Sequence, residues 1–306
     1  MAANRLTFKA TLSQVSVPAT SANLGPGFDS LGIALEMRDL YAAQILDEAI
    51  FDVDVTGEGA DELKRDKNHL VIRSMLRGFE HMGQKPRGIA LRALNVTPHG
   101  RGLGSSSSAI VGGLALARAL VHGGESLLSD DEMVALATEL EGHPDNVAAA
   151  IFGGATVAWV ENGEGKAIKI AVNEKIQALA FIPEAHLSTN KARKILPESV
   201  PHSAAAFNAG KAALLIEALS HRPDLLFTAT EDQIHQSYRS SAMPKSMELV
   251  NRLRAAGVAA FISGAGPTVL VLHTANETEI GELSAAAGSH FAVKALGISH
   301  KGYLSI

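Results

Sequence analysis

The stretch Pro98-His99-Gly100-Arg101-Gly102-Leu103-Gly104-Ser105-Ser106-Ser107-Ser108-Ala109 constrains this chain more than any other. Its glycines recur at alternate positions and run into a block of serines, and an apolar, alanine-rich segment follows to Val121. Glycine supplies positive φ and lets a ligand approach the backbone. Serines at a helix start cap it or turn hydroxyls toward a ligand. Free amides of the first helical turn attract anions, phosphate above all. The pattern predicts a loop that wraps a phosphate chain and feeds a helix pointing at it. A flexible Gly/Ser linker would lie in polar company, whereas apolar residues flank this stretch closely on both sides.

Two common nucleotide motifs do not fit. A P-loop needs a lysine after its last glycine, and none follows Gly104. The dinucleotide fingerprint is G-x-G-x-x-G, and the glycines here fall G-x-G-x-G. Neither an ordinary P-loop NTPase nor a Rossmann dehydrogenase is favoured.

The composition narrows the field further. With 306 residues the chain makes one large or two medium domains with a sizeable core. Net charge is −5, from 27 basic and 32 acidic residues, which argues against a protein that coats nucleic acid. The absence of cysteine excludes a thiolate nucleophile and a Cys-based metal site, and it fits a reducing cytoplasm. Residues 1–20 carry charge and no continuous apolar core, so no signal peptide is expected. Ile110–Val121 contains Arg118 and is too short to span a bilayer, so no membrane partner is expected. His-x-x-x-His and Gly-x-Ser-x-Gly are both missing, which removes the commonest zinc-protease and hydrolase signatures.

Along the chain, Thr7–Val17 is strand-like, and Pro18–Ser30 reads as a loop carrying Asn23 and Asp29. Strand-like runs follow at Leu31–Met37, Tyr41–Leu46, Phe51–Val55 and Gly88–Asn95, with a helical period over Asn68–Met82. Ser129-Asp130-Asp131-Glu132 is a capping box. It opens a helix that carries Glu139 and Glu141 near its end, before the break Gly142–Asn146. Ala155–Val160 is a strand, Lys166–Glu174 a polar connection, and a boundary is set near residue 170. Beyond it come strand Gln177–Ile182, a polar segment Ser188–Leu196, and helices Ser203–Ser220, Leu225–Gln236 and Pro244–Ala256. A hairpin, Val258–Ile262 with Thr268–His273, follows around Ser263-Gly264-Ala265-Gly266-Pro267. Helix Glu277–Ala287 and strands Phe291–Ala295 and Lys301–Ile306 close the chain. The expectation is an α+β protein of two units, 1–170 and 171–306, each a sheet with helices on one face.

A phosphate loop, acidic residues on the helix behind it and an Asn/Asp loop near the N-terminus together suit phosphoryl transfer. That reaction asks for Mg²⁺, amides around the phosphates and a well-placed acceptor hydroxyl, and for little covalent chemistry.

Three segments, in order, resemble the three motifs of the GHMP small-molecule kinases, whose acceptors include galactose and mevalonate. They are Pro18–Asp29, the stretch from Pro98, and Ser263-Gly264-Ala265-Gly266-Pro267-Thr268. Within the family the likeness is greatest to the branch that phosphorylates the hydroxyl of L-homoserine, a step toward threonine. Val17-Pro18-Ala19-Thr20-Ser21-Ala22-Asn23-Leu24-Gly25-Pro26-Gly27-Phe28-Asp29, His143-Pro144-Asp145-Asn146-Val147 and Ser188-Thr189-Asn190-Lys191-Ala192-Arg193 carry it. The resemblance implies a first domain like domain 2 of ribosomal protein S5, a ferredoxin-like second domain, and a site in the cleft between them. Homodimers are common in the family and are implied with it.

Carried over residue by residue, the resemblance implies that Pro98, His99, Gly100, Arg101, Gly102, Leu103, Gly104, Ser105, Ser106, Ser107 and Ser108 hold ATP. Ser106 and Ser107 would lie nearest the outer phosphates or Mg²⁺. Glu139 is implied as the metal ligand with Ser106, and Glu141 is a close rival because the connection to His143 is short. Asn23, Asp29, His143, Asn146, Arg193 and Arg239 would hold the amino acid, with Ser106, Asn146 and Arg193 acting at the reacting groups. A carboxylate such as Asp29 suits an ammonium, and two arginines suit a carboxylate. Without the motif context Arg193 would read as a solvated helix charge and Arg239 as a helix cap. Several relatives place an aspartate where Asn146 stands. Asn146 is therefore expected to orient the acceptor hydroxyl without taking its proton, with Asp145 the adjacent alternative. A kinase for an isoprenoid or sugar alcohol, and a catalytically silent nucleotide-binding regulator, are the competing functions.

Overall fold

The computed structural model describes residues 8–285 and 287–306. Thr7 and Ala286, at the edges of an expected strand and an expected helix, lie outside them. The first sheet contains β1 (Ser13–Asn23), β2 (Gly27–Leu46), β3 (Phe51–Gly57) and β4 (Gly88–Asn95). On its inner face pack α1 (Leu70–His81), α2 (Ser105–Leu120), α3 (Asp130–Glu141) and α4 (Asp145–Phe152). The hairpin β5 (Ala155–Glu161) and β6 (Glu164–Ile170) joins the sheet through β2. The second sheet, in order β10-β7-β9-β8, is built from β7 (Gln177–Pro183), β8 (Ala260–Ile262), β9 (Val269–His273) and β10 (Phe291–Leu296). Its helices are α5 (Thr189–Lys194), α6 (His202–Ser220), α7 (Leu226–Ala229), α8 (Pro244–Ala255) and α9 (Glu277–Ala285). The short β11 (Leu304–Ser305) then returns to β1 of the first sheet.

The burial pattern of β2 explains how the two sheets meet. Its C-terminal half alternates, with Met37, Asp39, Tyr41 and Ala43 turned inward, as expected of a strand with one covered face. Its N-terminal half, Leu31–Leu35, is buried on both faces. Gly32 lies against Asp145 and Ala149 of α4, while Leu31, Ile33 and Leu35 join a second apolar cluster with Ala178, Ala180, Leu215 and Phe261. The two sheets therefore share a core. β3 and β4 run parallel, with α1 as the crossover. Gly112 and Gly113 let α2 approach Tyr41 and the backbone of α1, which is why that helix is rich in small residues.

Several expectations changed on folding. Pro18–Ser30 is a tight strand-turn-strand, with only Leu24–Pro26 between β1 and β2. The polar connection after Ala155–Glu161 is strand β6, because an exposed edge strand tolerates lysines and glutamates. The helix expected over Leu225–Gln236 stops at Ala229. There the Asp232 carboxylate takes the backbone amides of Ile234, His235 and Gln236, a local alternative to helical bonding. No helix among the described residues is long and apolar enough to cross a membrane.

Candidate active site

The three glycine-bearing motifs are bonded to one another. Thr20 N donates to Leu103 O at 3.0 Å, and Gly264 N to Ala22 O at 3.1 Å. Asn23 Nδ2 donates to Gly264 O at 2.9 Å. Ser263 Oγ lies 2.6 Å from Gly102 O and 2.8 Å from Ser21 Oγ. Gly102 and Gly104 both have positive φ. A side chain at Gly102 would strike the carbonyl of Ser263, and one at Gly104 the hydroxyl of Thr20. The loop spacing is thus set by close backbone approach as well as by φ.

A cavity of about 220 Å³ opens between these motifs. One wall is Gly100, Gly102, Gly104, Ser105 and Ser106. No side chain caps the first turn of α2, so its amides are left for a ligand. At the edge of this wall Ser106 Oγ donates to Glu141 Oε1 at 2.5 Å, and Ser107 Oγ to the same oxygen at 3.1 Å. These hydroxyls and one carboxylate form a hard oxygen set. Among the described residues no group of three or more His, Asp or Glu side chains could hold a metal. Two hydroxyls and one carboxylate are donors of the kind that suit a hard cation such as Mg²⁺, which takes most of its shell from phosphates and water.

The opposite wall carries the charges. Arg193 donates to both oxygens of Asp29, at 2.9 and 2.6 Å, and this pairing raises its pKa. Asp29 sits at φ 56, with its amide held by Asn23 Oδ1 at 2.9 Å. Arg239 is 1 % exposed yet lines the cavity. It donates to Ala192 O and to His235 Nδ1, and it forms no ion pair among the described residues. Burial, then the nearby Arg193, lowers its pKa to about 10, so it stays cationic at neutral pH. Between the two walls, Thr20 Oγ1 donates to Asn146 Oδ1 at 2.8 Å, which fixes the amide orientation. The buried Asp145 lies 2.7 Å from His143 Nδ1 and accepts the Asn146 amide. Burial lowers the His143 pKa, but the bond and charge of Asp145 outweigh it and leave a net rise.

The structure thus brings Asn23, Asp29, Ser106, His143, Asn146, Arg193 and Arg239 around one cavity. It does not bring Glu139 there. Glu139 reaches away from it to Arg77, at 2.9 Å, on the exposed side of α3. The carboxylate beside the serines is Glu141. Other expected phosphate-loop residues also point elsewhere. Arg101 is tied to the carbonyls of Pro183 and Glu184, Leu103 is buried in the shared core, and Ser108 donates to the buried Asp39 at 2.7 Å. Pro98 is buried, and His99 faces a second cavity, also of about 220 Å³. That cavity is lined by Tyr41, Leu63, Leu70, Val71, Asn95 and Ala109, and it shares Ser105 and Ser106 with the first.

Sequence reasoning missed this second cavity and two anchors. Asp39 accepts the amides of Val96 and Thr97 at 2.7 and 2.8 Å as well as Ser108, and so ties the entry of the loop to the helix that follows it. Its signal was an acidic residue at an inward position of an alternating strand. Thr20, which orients Asn146, lies inside the N-terminal motif, but nothing in the sequence marks it out from its neighbours.

Comparison with known proteins agrees with this architecture. Residues 69–154 match the GHMP kinases N terminal domain and residues 204–293 the GHMP kinases C terminal domain. The chain is 49 % identical over 295 residues to a homoserine kinase of Streptomyces coelicolor, covering 96 % of this chain and 94 % of that one. It is 49 % identical over 295 residues to the homoserine kinase of Streptomyces avermitilis, covering 96 % of each. The crystal structure of homoserine kinase from Cytophaga hutchinsonii superposes with a TM-score of 0.84 at 25 % identity, covering 98 % of both chains. With both domains of the family matched in order, and near-full-length relatives at this identity, the chain belongs to the GHMP kinases and, within them, to the homoserine kinases.

Proposed function

We propose that this chain transfers a phosphoryl group from ATP to the hydroxyl of L-homoserine, giving O-phospho-L-homoserine and ADP, a step toward threonine. The observation that carries the reading is the pairing of walls in one cavity. An uncapped helix end faces a carboxylate and two guanidiniums, a charge pattern complementary to a zwitterion. Asp29 takes the ammonium, Arg193 and Arg239 take the carboxylate, and the hydroxyl then points toward Ser105 and Ser106. The amides of α2 hold the outer phosphates, and the second cavity, continuous with Ser105 and Ser106, takes the nucleoside. Glu141, Ser106 and Ser107 would hold Mg²⁺, which when bound neutralises charge on the phosphate oxygens. Units 1–170 and 171–306 supply the donor and acceptor walls respectively, with Asn23 and Asp29 reaching across.

Asn146 cannot take a proton as a carboxylate would. Held by Thr20, it orients the hydroxyl oxygen through its NH₂ group. A loose transition state needs little activation of the nucleophile, so positioning and charge carry the reaction. ADP release measured over a panel of alcohols tests the assignment. Homoserine turning over at least about 10²-fold more efficiently than mevalonate is expected, since mevalonate keeps a carboxylate but lacks the ammonium, and so leaves the Asp29 carboxylate without its substrate partner. Faster turnover of mevalonate, or ATP binding with no ADP release on any alcohol, would overturn it. Sedimentation of the pure protein tests the homodimer implied by the family.

A further inference from the structure

The two cavity arginines pose a physical problem. Two guanidiniums that share one carboxylate repel each other until that carboxylate arrives, and Arg193 indeed lowers the pKa of Arg239. Arg193 is steadied by Asp29. Among the described residues the hydrogen-bond partners of Arg239 are neutral, Ala192 O at 3.1 Å and His235 Nδ1 at 3.3 Å, and the charges of Asp29 and Asp232 act on it without a direct ion pair. One further group is common to both. The Phe28 ring lies 5.4 Å from Arg239 Cζ and 5.7 Å from Arg193 Cζ, each over the ring. The same ring sits 5.3 Å from the His235 ring, tilted by 31°, and His235 is itself fixed by Gly25 O at 2.7 Å. An aromatic face attracts a cation, more so where water is excluded. Phe28 is not among the residues lining the cavity.

We propose that Phe28 is a positioning residue of the carboxylate clamp: its ring holds Arg193 and Arg239 at the spacing in which both reach one substrate carboxylate. The proposal rests on the homoserine reading above and adds a specificity element to it. It places the cost of bringing two like charges together in the folding of the start of β2, before substrate binds. Removing the aromatic face should weaken binding of acceptors that carry a carboxylate and leave others unaffected.

The test compares homoserine with 3-aminopropan-1-ol, the same amino alcohol without the carboxylate. In the full chain, Phe28→Leu should raise KM for homoserine about tenfold, the scale of one or two desolvated cation–π contacts. KM for ATP, and the efficiency with 3-aminopropan-1-ol, should stay at wild-type values, and Phe28→Tyr should restore homoserine binding. A fluorinated phenylalanine at position 28 keeps the ring shape and weakens its negative face, so it should reproduce the Leu result in a protein that folds as wild type. An unchanged KM for homoserine in the fluorinated protein would overturn the proposal, as would equal losses with both acceptors. Failure of the wild-type chain to phosphorylate homoserine would instead overturn the functional reading, so the two outcomes are separable.

Discussion

Glu139 and Glu141 show what a single residue's sequence context can and cannot say. They are two positions apart, which on a helix is about 200° of rotation, so only one can face the serines. Choosing between them requires the face that α3 turns to the core, and that is set by Met133, Val134 and Ala137 packing on other elements. Glu141→Gln should therefore lower kcat by roughly 10²-fold or more, the scale of lost metal-assisted charge stabilisation. Glu139→Gln should leave kcat within about twofold and remove only an exposed ion pair, a contact of little energetic weight; steady-state rates of the two variants side by side decide it. Arg239 was readable as a site residue only through its motif context. Its burial, and the absence of a carboxylate bonded to it among the described residues, become visible only when α5, β2 and the 232–239 turn meet. Arg239→Gln should raise KM for homoserine roughly 10–100-fold, the loss of a charged hydrogen bond, with KM for ATP unchanged.

At the scale of elements, the glycine loop and the helix after it were legible because φ and close approach dictate their residues. Gly104→Ala should cost about 1–3 kcal/mol for a strained left-handed position and should raise KM for ATP, since its methyl would displace Thr20. Thermal melts with and without ATP separate the two effects. The capping box at Ser129 was equally legible, and both of its bonds form. The end of α7 was not. Asp232 there accepts backbone amides that a helix would otherwise use. Burial alone would raise its pKa, but the nearby His235, those amides and Asn208 leave it below the ordinary 3.8. A carboxylate depressed in the folded state adds stability that is fully present above its unfolded pKa and is lost as pH falls through its folded value. Stability should accordingly decline as pH drops below about 4. Asp232→Asn should flatten that acid limb in urea titrations run across this range, and an unaltered limb would show that Asp232 is not the group responsible.

Across the whole molecule, the α+β class and the two sheets could be read from the alternation of strand and helix periods. Their union could not. It depends on the doubly buried start of β2, on Arg101 bridging to the end of β7, and on a tail whose strand is only two residues long. The tail is nonetheless well tied: Arg38 bonds to Ser299 Oγ and Gly302 O, and Ile306 N donates to Gln14 O. The acceptor wall is likewise a property of the assembled molecule, since Asp29 and Arg193 are separated by most of the first sheet and its helices. The most direct measurement is a crystal structure of the chain with L-homoserine and a non-hydrolysable ATP analogue. The account predicts the ammonium at Asp29, the carboxylate shared by Arg193 and Arg239, the hydroxyl facing Ser105 and Ser106, and the outer phosphates on the first turn of α2 beside Glu141. Phosphates bound away from that turn, or an amino acid whose carboxylate avoids both arginines, would contradict it.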